Sequence, residues 1–294
     1  MTTIRTFFNS VRTLATSPRA LAILAVLYAL LLATLYGFIS IREATVWQVA
    51  MTFAFLVLIP IEFFLLQAAI LHHARTQGFH WSQILRDAIK IAVVSIPIVL
   101  LGFLIQYLLN KWQARHLAPE PLLMLPGSRT PSAPQPIHWP TVLFATGRLL
   151  LLGVALPLAA IHLWIEATGR DVRSLSGGGV KTVLRRVGNA AARAFEFDSV
   201  MTYALGLIIF VLVPYALLFI PITIKGNKTE FAVFIFRVVL VFVFTLFGWI
   251  VTVQTLAKTS LQAPEARPNV APGVSPGNQT PKEIISPQSG RQMA

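Results

Sequence analysis

Six long apolar runs constrain this chain more than any other feature. They cover residues 19–41, 47–71, 87–109, 140–164, 199–222 and 231–257. At a helical rise of about 1.5 Å per residue, each reaches across about 30 Å of hydrocarbon. In lipid the backbone must satisfy its own hydrogen bonds, which leaves helices or closed barrels. Barrel strands are about 10 residues of alternating polarity, and none of the six runs alternates. The sixth, FAVFIFRVVLVFVFTLFGWIVTVQTLA, is rich in the β-favouring Phe and Val, yet its length selects a helix. The fold class expected is therefore all-α: a polytopic transmembrane bundle of six spans.

Composition agrees. Charged residues make up 12% of the 294, mean hydropathy is +0.71, and the net charge is +13. Soluble domains carry about 25% charged residues. In a nucleic-acid binder the cations would cover a polar surface. Here they occupy the short segments between apolar runs, so no nucleic-acid partner is expected. The chain has no cysteine, which excludes disulfides, thiol catalysis and cysteine-ligated metals.

The cations also orient the bundle. With the N-terminus inside, 16 Lys and Arg fall in inside segments, six in outside segments, and Arg148 and Arg237 within spans. The inside count remains 13 when the C-terminal tail beyond Lys258 is left out. Both termini are expected to be cytoplasmic, in a bacterial cytoplasmic membrane. The first apolar run is too long for a signal peptide and ends without a small-x-small cleavage site. It is read as a retained span, with Ser17 as helix cap and Pro18 in the first turn.

Flanking segments complete the organisation. In residues 1–17, Ile4, Phe7, Phe8, Val11 and Leu14 recur at helical spacing, which predicts an interfacial amphipathic helix. A second is expected near 180–193, where Val180, Val183, Leu184, Val187 and Ala191 share a face beside Lys181, Arg185, Arg186 and Arg193. Those four cations have the composition of an anionic-lipid contact. Residues 110–139 are a proline-rich outside loop, and residues 259–294 read as a disordered tail. The similar endings ILHHARTQG and IHLWIEATG, paired with Pro60/Pro157 and Pro97/Pro214, suggest a weak parallel repeat; two inverted three-span halves are the alternative.

Ionisable groups at membrane depth each require a reason. Glu62 and Arg148 lie on opposite sides of the midplane, about 10 Å apart in depth, and are expected to pair. That pair would be a structural clamp or part of a transport pathway. Thr141, Arg148, Ala155, His162 and Glu166 fall on one line of span four, a polar face for the bundle interior. Arg237 is expected to snorkel to the outer headgroups. Ala25, Ala29, Ala33 and Gly37 form a small-residue ridge for helix packing. His72, His73 and His162 lie at span ends. They are weak metal candidates without an established ligand spacing, so no metal or other cofactor is expected.

The sequence carries no HExxH or GxSxG motif, and in SGGGVKT a Val separates glycine from Lys181. An enzyme is not expected. The leading expectation is a small permease or the membrane subunit of a transport system, working through Glu62 and Arg148. The alternative is a non-catalytic membrane scaffold or assembly factor. Expected partners are the bilayer, anionic lipids at the cytoplasmic face and membrane partner subunits.

Overall fold

The computed structural model describes residues 2–41, 45–116, 139–169, 179–221 and 227–262. Among the described residues every regular element is helical. An amphipathic helix α1 (Thr2–Ala15) precedes span one, α2 (Pro18–Ser40). Spans two and three are α3 (Val46–Thr76) and α4 (Trp81–His116). Span four joins α5 (Trp139–Leu149), a π-helical segment Leu150–Ala155 and α6 (Leu156–Thr168). After the second amphipathic helix, α7 (Gly179–Ala194), span five joins α8 (Phe197–Leu207), a π-helical segment Ile208–Leu212 and α9 (Val213–Phe219). Span six is α10 (Asn227–Gln262). All six are long and apolar enough to cross a membrane.

Local chemistry sets several boundaries. Thr45 and Gln48 form a reciprocal capping box at the start of span two. That helix closes on Gln77 in the left-handed conformation, φ 54°, whose N–H donates to the His73 carbonyl. Ser17 and Pro18 start span one as expected. The Ser17 hydroxyl makes no cap, however, because it donates backwards to the Thr13 carbonyl.

Two expected boundaries move. Span three continues as helix to His116, so the outer loop begins later than residue 110. Span six continues to Gln262, which takes residues 259–262 out of the expected tail. The remainder of that loop and tail lies outside the described residues, as does most of the stretch between spans four and five before α7.

Packing is concentrated at one end. The Lys258 ammonium donates to Ser10 on α1, and Thr3 donates to Asp198 at the start of span five. Both described chain ends therefore meet at one end of the bundle, the terminal end. Leu66–Leu71, Leu158–Ile165 and Ile250–Ala257 form the buried core there, with Phe7 and Leu14 of α1 beneath them. The far halves carry broad apolar surface, including Phe53, Phe103, Leu143 and Phe231. Apolar faces of that extent fit lipid rather than water.

The ridge expected on span one faces away from the bundle. Ala25, Ala29 and Ala33 are exposed, while Leu24 and Thr34 are buried on the other side. At Gly37 an added Cβ would stand 3.1 Å from the Phe55 ring. The close helix approach lies between spans five and six instead. A Cβ on Gly206 would collide with the Thr252 hydroxyl and stand 2.9 Å from its Cβ. One on Gly248 would stand 2.9 Å from the Phe210 backbone nitrogen. Hydrocarbon supplies no hydrophobic drive between helices, so backbone proximity and polar bonds must supply the association.

Candidate functional site

Glu62 is 6% exposed, on the face of span two that packs against span one. Thr34 of span one donates to its Oε1 at 3.0 Å, while Oε2 is buried with no partner among the described residues. Pro60 lies two residues earlier and has no N–H, so the Leu56 carbonyl lacks its helical donor. A carboxyl and an interrupted backbone ladder thus sit within one turn of each other. Thr34, a single polar residue within a run of Leu and Ala, is the sequence signal for Glu62's actual neighbour.

The expected Glu62–Arg148 pair does not form. Among the described residues the one ion pair is Lys90 with Asp87, and Glu62 turns to span one. The physical reason lies in span four. Pro157 lacks an N–H and crowds the carbonyl four residues back, on Gly153. The helix relaxes into π geometry over Leu150–Ala155, and Tyr203 of span five donates its hydroxyl to the Gly153 oxygen at 3.1 Å. A π segment carries an extra residue per turn, which rotates the rest of the span by roughly a quarter turn over this length.

The single polar face expected on span four is therefore broken. Thr141 and Arg148 lie before the π segment, where α5 buries no residue. Ala155 ends that segment, and beyond it His162 is buried at 4% exposure. His162 Nε2 shares a hydrogen bond with Ser199 of span five at 3.0 Å, and its Nδ1 is buried and unpartnered. Glu166 is half-buried near the end of span four. Span five repeats the device, with Ile208–Leu212 π-helical before Pro214. Pro60 and Pro97 sit in continuous α-helix, so the members of each proposed proline pair differ in local geometry.

The other candidates take separate places. The Arg237 guanidinium donates to the Ile220 carbonyl at the end of span five. The histidines disperse: His72 Nε2 lies 3.4 Å from His80 Nδ1, His73 stacks on Phe79 at 5.2 Å, and His162 stays with Ser199. Among the described residues no group of three ligands forms. On α7, Ala190 and Ala194 are buried, and Arg185 and Arg193 are exposed. The side chains of Lys181 and Arg186 lie outside the described set.

Sequence reasoning missed a set of polar bonds that join the spans. Trp164 of span four donates to Ser95 of span three at 2.7 Å. Trp249 of span six donates to Gln67 of span two at 2.9 Å. Arg75 at the end of span two donates to the Ile165 carbonyl of span four at 2.5 Å. Each polar residue is visible in the sequence, but its partner is 90 to 182 positions away in two of the three cases. No protein-family model, curated protein or solved structure matches this chain.

Proposed function

We propose that this multi-pass membrane protein is a small permease, or the membrane subunit of a transport system, in which Glu62 accepts a proton or monovalent cation. One observation carries the reading: a carboxyl at mid-membrane with one oxygen held by Thr34 and the other buried without a partner. A charged residue there costs about 2.5–3.5 kcal/mol on insertion scales. Among the described residues no ion pair offsets that cost. Pro60, two residues before Glu62, removes one backbone N–H from the same stretch of the helix. Arg148 is then no partner of Glu62 and sets the polarity of the far half of span four.

In this reading the bundle lies in a bacterial cytoplasmic membrane with its terminal end in the cytoplasm, and it moves a solute without altering it covalently. Arg185 and Arg193 of α7, with Lys181 and Arg186, rest on anionic headgroups. The test is ion flux into proteoliposomes with an entrapped pH dye under an imposed potential. Glu62→Gln is expected to abolish protein-dependent proton or alkali-cation flux, and Thr34→Val to reduce it. Vesicles no leakier than empty ones, or a Glu62→Gln variant as active as the parent, would remove the permease reading.

A second reading, a non-catalytic scaffold or assembly factor joined to membrane partner subunits, is favoured by a specific feature. The terminal half is closed by interhelical bonds, and Glu62 lines neither the cleft at the terminal end nor the one between spans five and six. Absence of flux in the same assay selects this reading.

A further inference from the structure

A cleft of about 500 Å³ opens at the terminal end, where spans one, two and three leave the hydrocarbon. Its walls are the first turn of span one, the turn after span two and the start of span three. We propose that it binds a phosphate group, and four features of the cleft support this.

First, two helix N-termini converge on it. Ser17, Pro18 and Arg19 line it from span one. Ser17 provides no side-chain cap there, so the first-turn N–H groups remain available to an external acceptor. Trp81, the first residue of span three, lines the opposite wall. The His80 carbonyl accepts from Gln83 and Ile84, which leaves the N–H groups of Trp81 and Ser82 in the same position. Aligned N–H groups and the positive dipole ends of two long helices favour an anion. Two C-termini also end near here, those of α1 and span two; the Leu14 carbonyl of α1 is engaged by the Ser17 N–H and the His73 carbonyl of span two by Gln77.

Second, the side chains supply a guanidinium and an imidazole. Arg19 and His80 line the cleft and are exposed to an incoming ligand. Among the described residues no carboxylate lines it. Two N-termini and a guanidinium repel a cation, so the nearby imidazoles are poorly placed for a metal.

Third, His73 lines the cleft at 5% exposure, and its Nδ1 is buried without a partner among the described residues. Its ring is held flat on Phe79, 8° from parallel. Buried polar atoms are normally paired, and an unpaired imidazole held rigid in the wall is an unused polar position for a ligand oxygen network.

Fourth, the depth fits. The cleft lies just beyond the apolar part of spans two and three, with half-exposed Trp81 at its rim. Amphipathic aromatic rings occupy that headgroup level. A phosphate here can belong to a lipid headgroup or be free in solution, and the two share the same recognition chemistry.

Calorimetric titration of the full chain in neutral detergent separates them. The probes are inorganic phosphate, dioctanoyl phosphatidic acid and dioctanoylglycerol, which lacks phosphate. Binding of phosphatidic acid but not of inorganic phosphate assigns a lipid headgroup; equal binding of both assigns free phosphate. In either case Arg19→Gln is expected to weaken affinity at least tenfold and His80→Gln severalfold. Arg115→Gln, exposed at the opposite end of span three, should bind as the parent does. Arg19 is exposed, whereas His80→Gln also removes the contact to buried His72, so Arg19→Gln is the decisive variant. The proposal is overturned if neither phosphate probe binds, if dioctanoylglycerol binds as well as phosphatidic acid, or if Arg19→Gln retains the parental affinity.

Discussion

The terminal and far halves of this bundle are built from the same apolar residue types but are held together differently. In the terminal half, spans approach through Gly206 and Gly248 and are joined by Trp164–Ser95, Trp249–Gln67 and His162–Ser199. In the far half, α5 buries nothing, and a Cβ on Gly147 would meet no atom within 4 Å. The difference shows that apolarity places a helix in the membrane without placing it against another helix. Association needs a close backbone approach or a polar bond, and both are concentrated where the chain ends meet.

The contrast can be sharpened first by an all-or-none labelling. The chain has no cysteine, so single cysteines report without background. Arg115→Cys at the far end and Gly188→Cys on α7 should react with a membrane-impermeant maleimide from opposite compartments. Reaction of both from one side would break the six-span bundle itself.

A matched glycine pair comes next. Gly206→Ala forces a methyl into Thr252 and should destabilise by about 1–3 kcal/mol, as overpacking does. Gly147→Ala enters open space and should be neutral or stabilise by about 0.5–1 kcal/mol. Thermal melting in detergent measures both, and equal losses would erase the distinction between the halves.

Smaller still is Trp249→Phe. It strips the donor from Gln67, which is 1% exposed, and should lower stability by about 0.6–2 kcal/mol. Adding Gln67→Leu should recover part of the loss, because no buried acceptor then remains unpaired. A double variant less stable than Trp249→Phe alone would show that packing, not the hydrogen bond, joins spans two and six at this point.

Several parts of the structure are legible in the sequence for definite reasons. Lipid demands long apolar helices, so the six runs announce themselves, including the Phe- and Val-rich sixth. The helical spacing of Phe7 and Leu14 marks α1, and both side chains are buried. The face of α7 is legible in outline, with Val187 and Ala191 half-buried beside the buried Ala190 and Ala194. The site is less legible. Glu62 and His162 stand out as polar groups in apolar spans, and both are buried. Their expected relations fail at identifiable places. A constant 100° per residue carries Arg148 and His162 onto one face, and the π segment before Pro157 breaks that register. Small residues on span one look like a packing ridge, but the residues on its other side, Leu24 among them, make the contact. Ser17 lies more than 50 positions from His73 and His80, and nothing in the sequence links it to them.

What the sequence determined by itself was which segments are helical and apolar enough to enter lipid, because those properties depend on neighbouring residues and on the solvent around them. Which faces meet, where Glu62 finds Thr34, and how two distant chain segments enclose one cleft were decided only by the tertiary structure. Those relations depend on the rotation of each helix about its axis, and a single π segment or proline resets that rotation for everything beyond it.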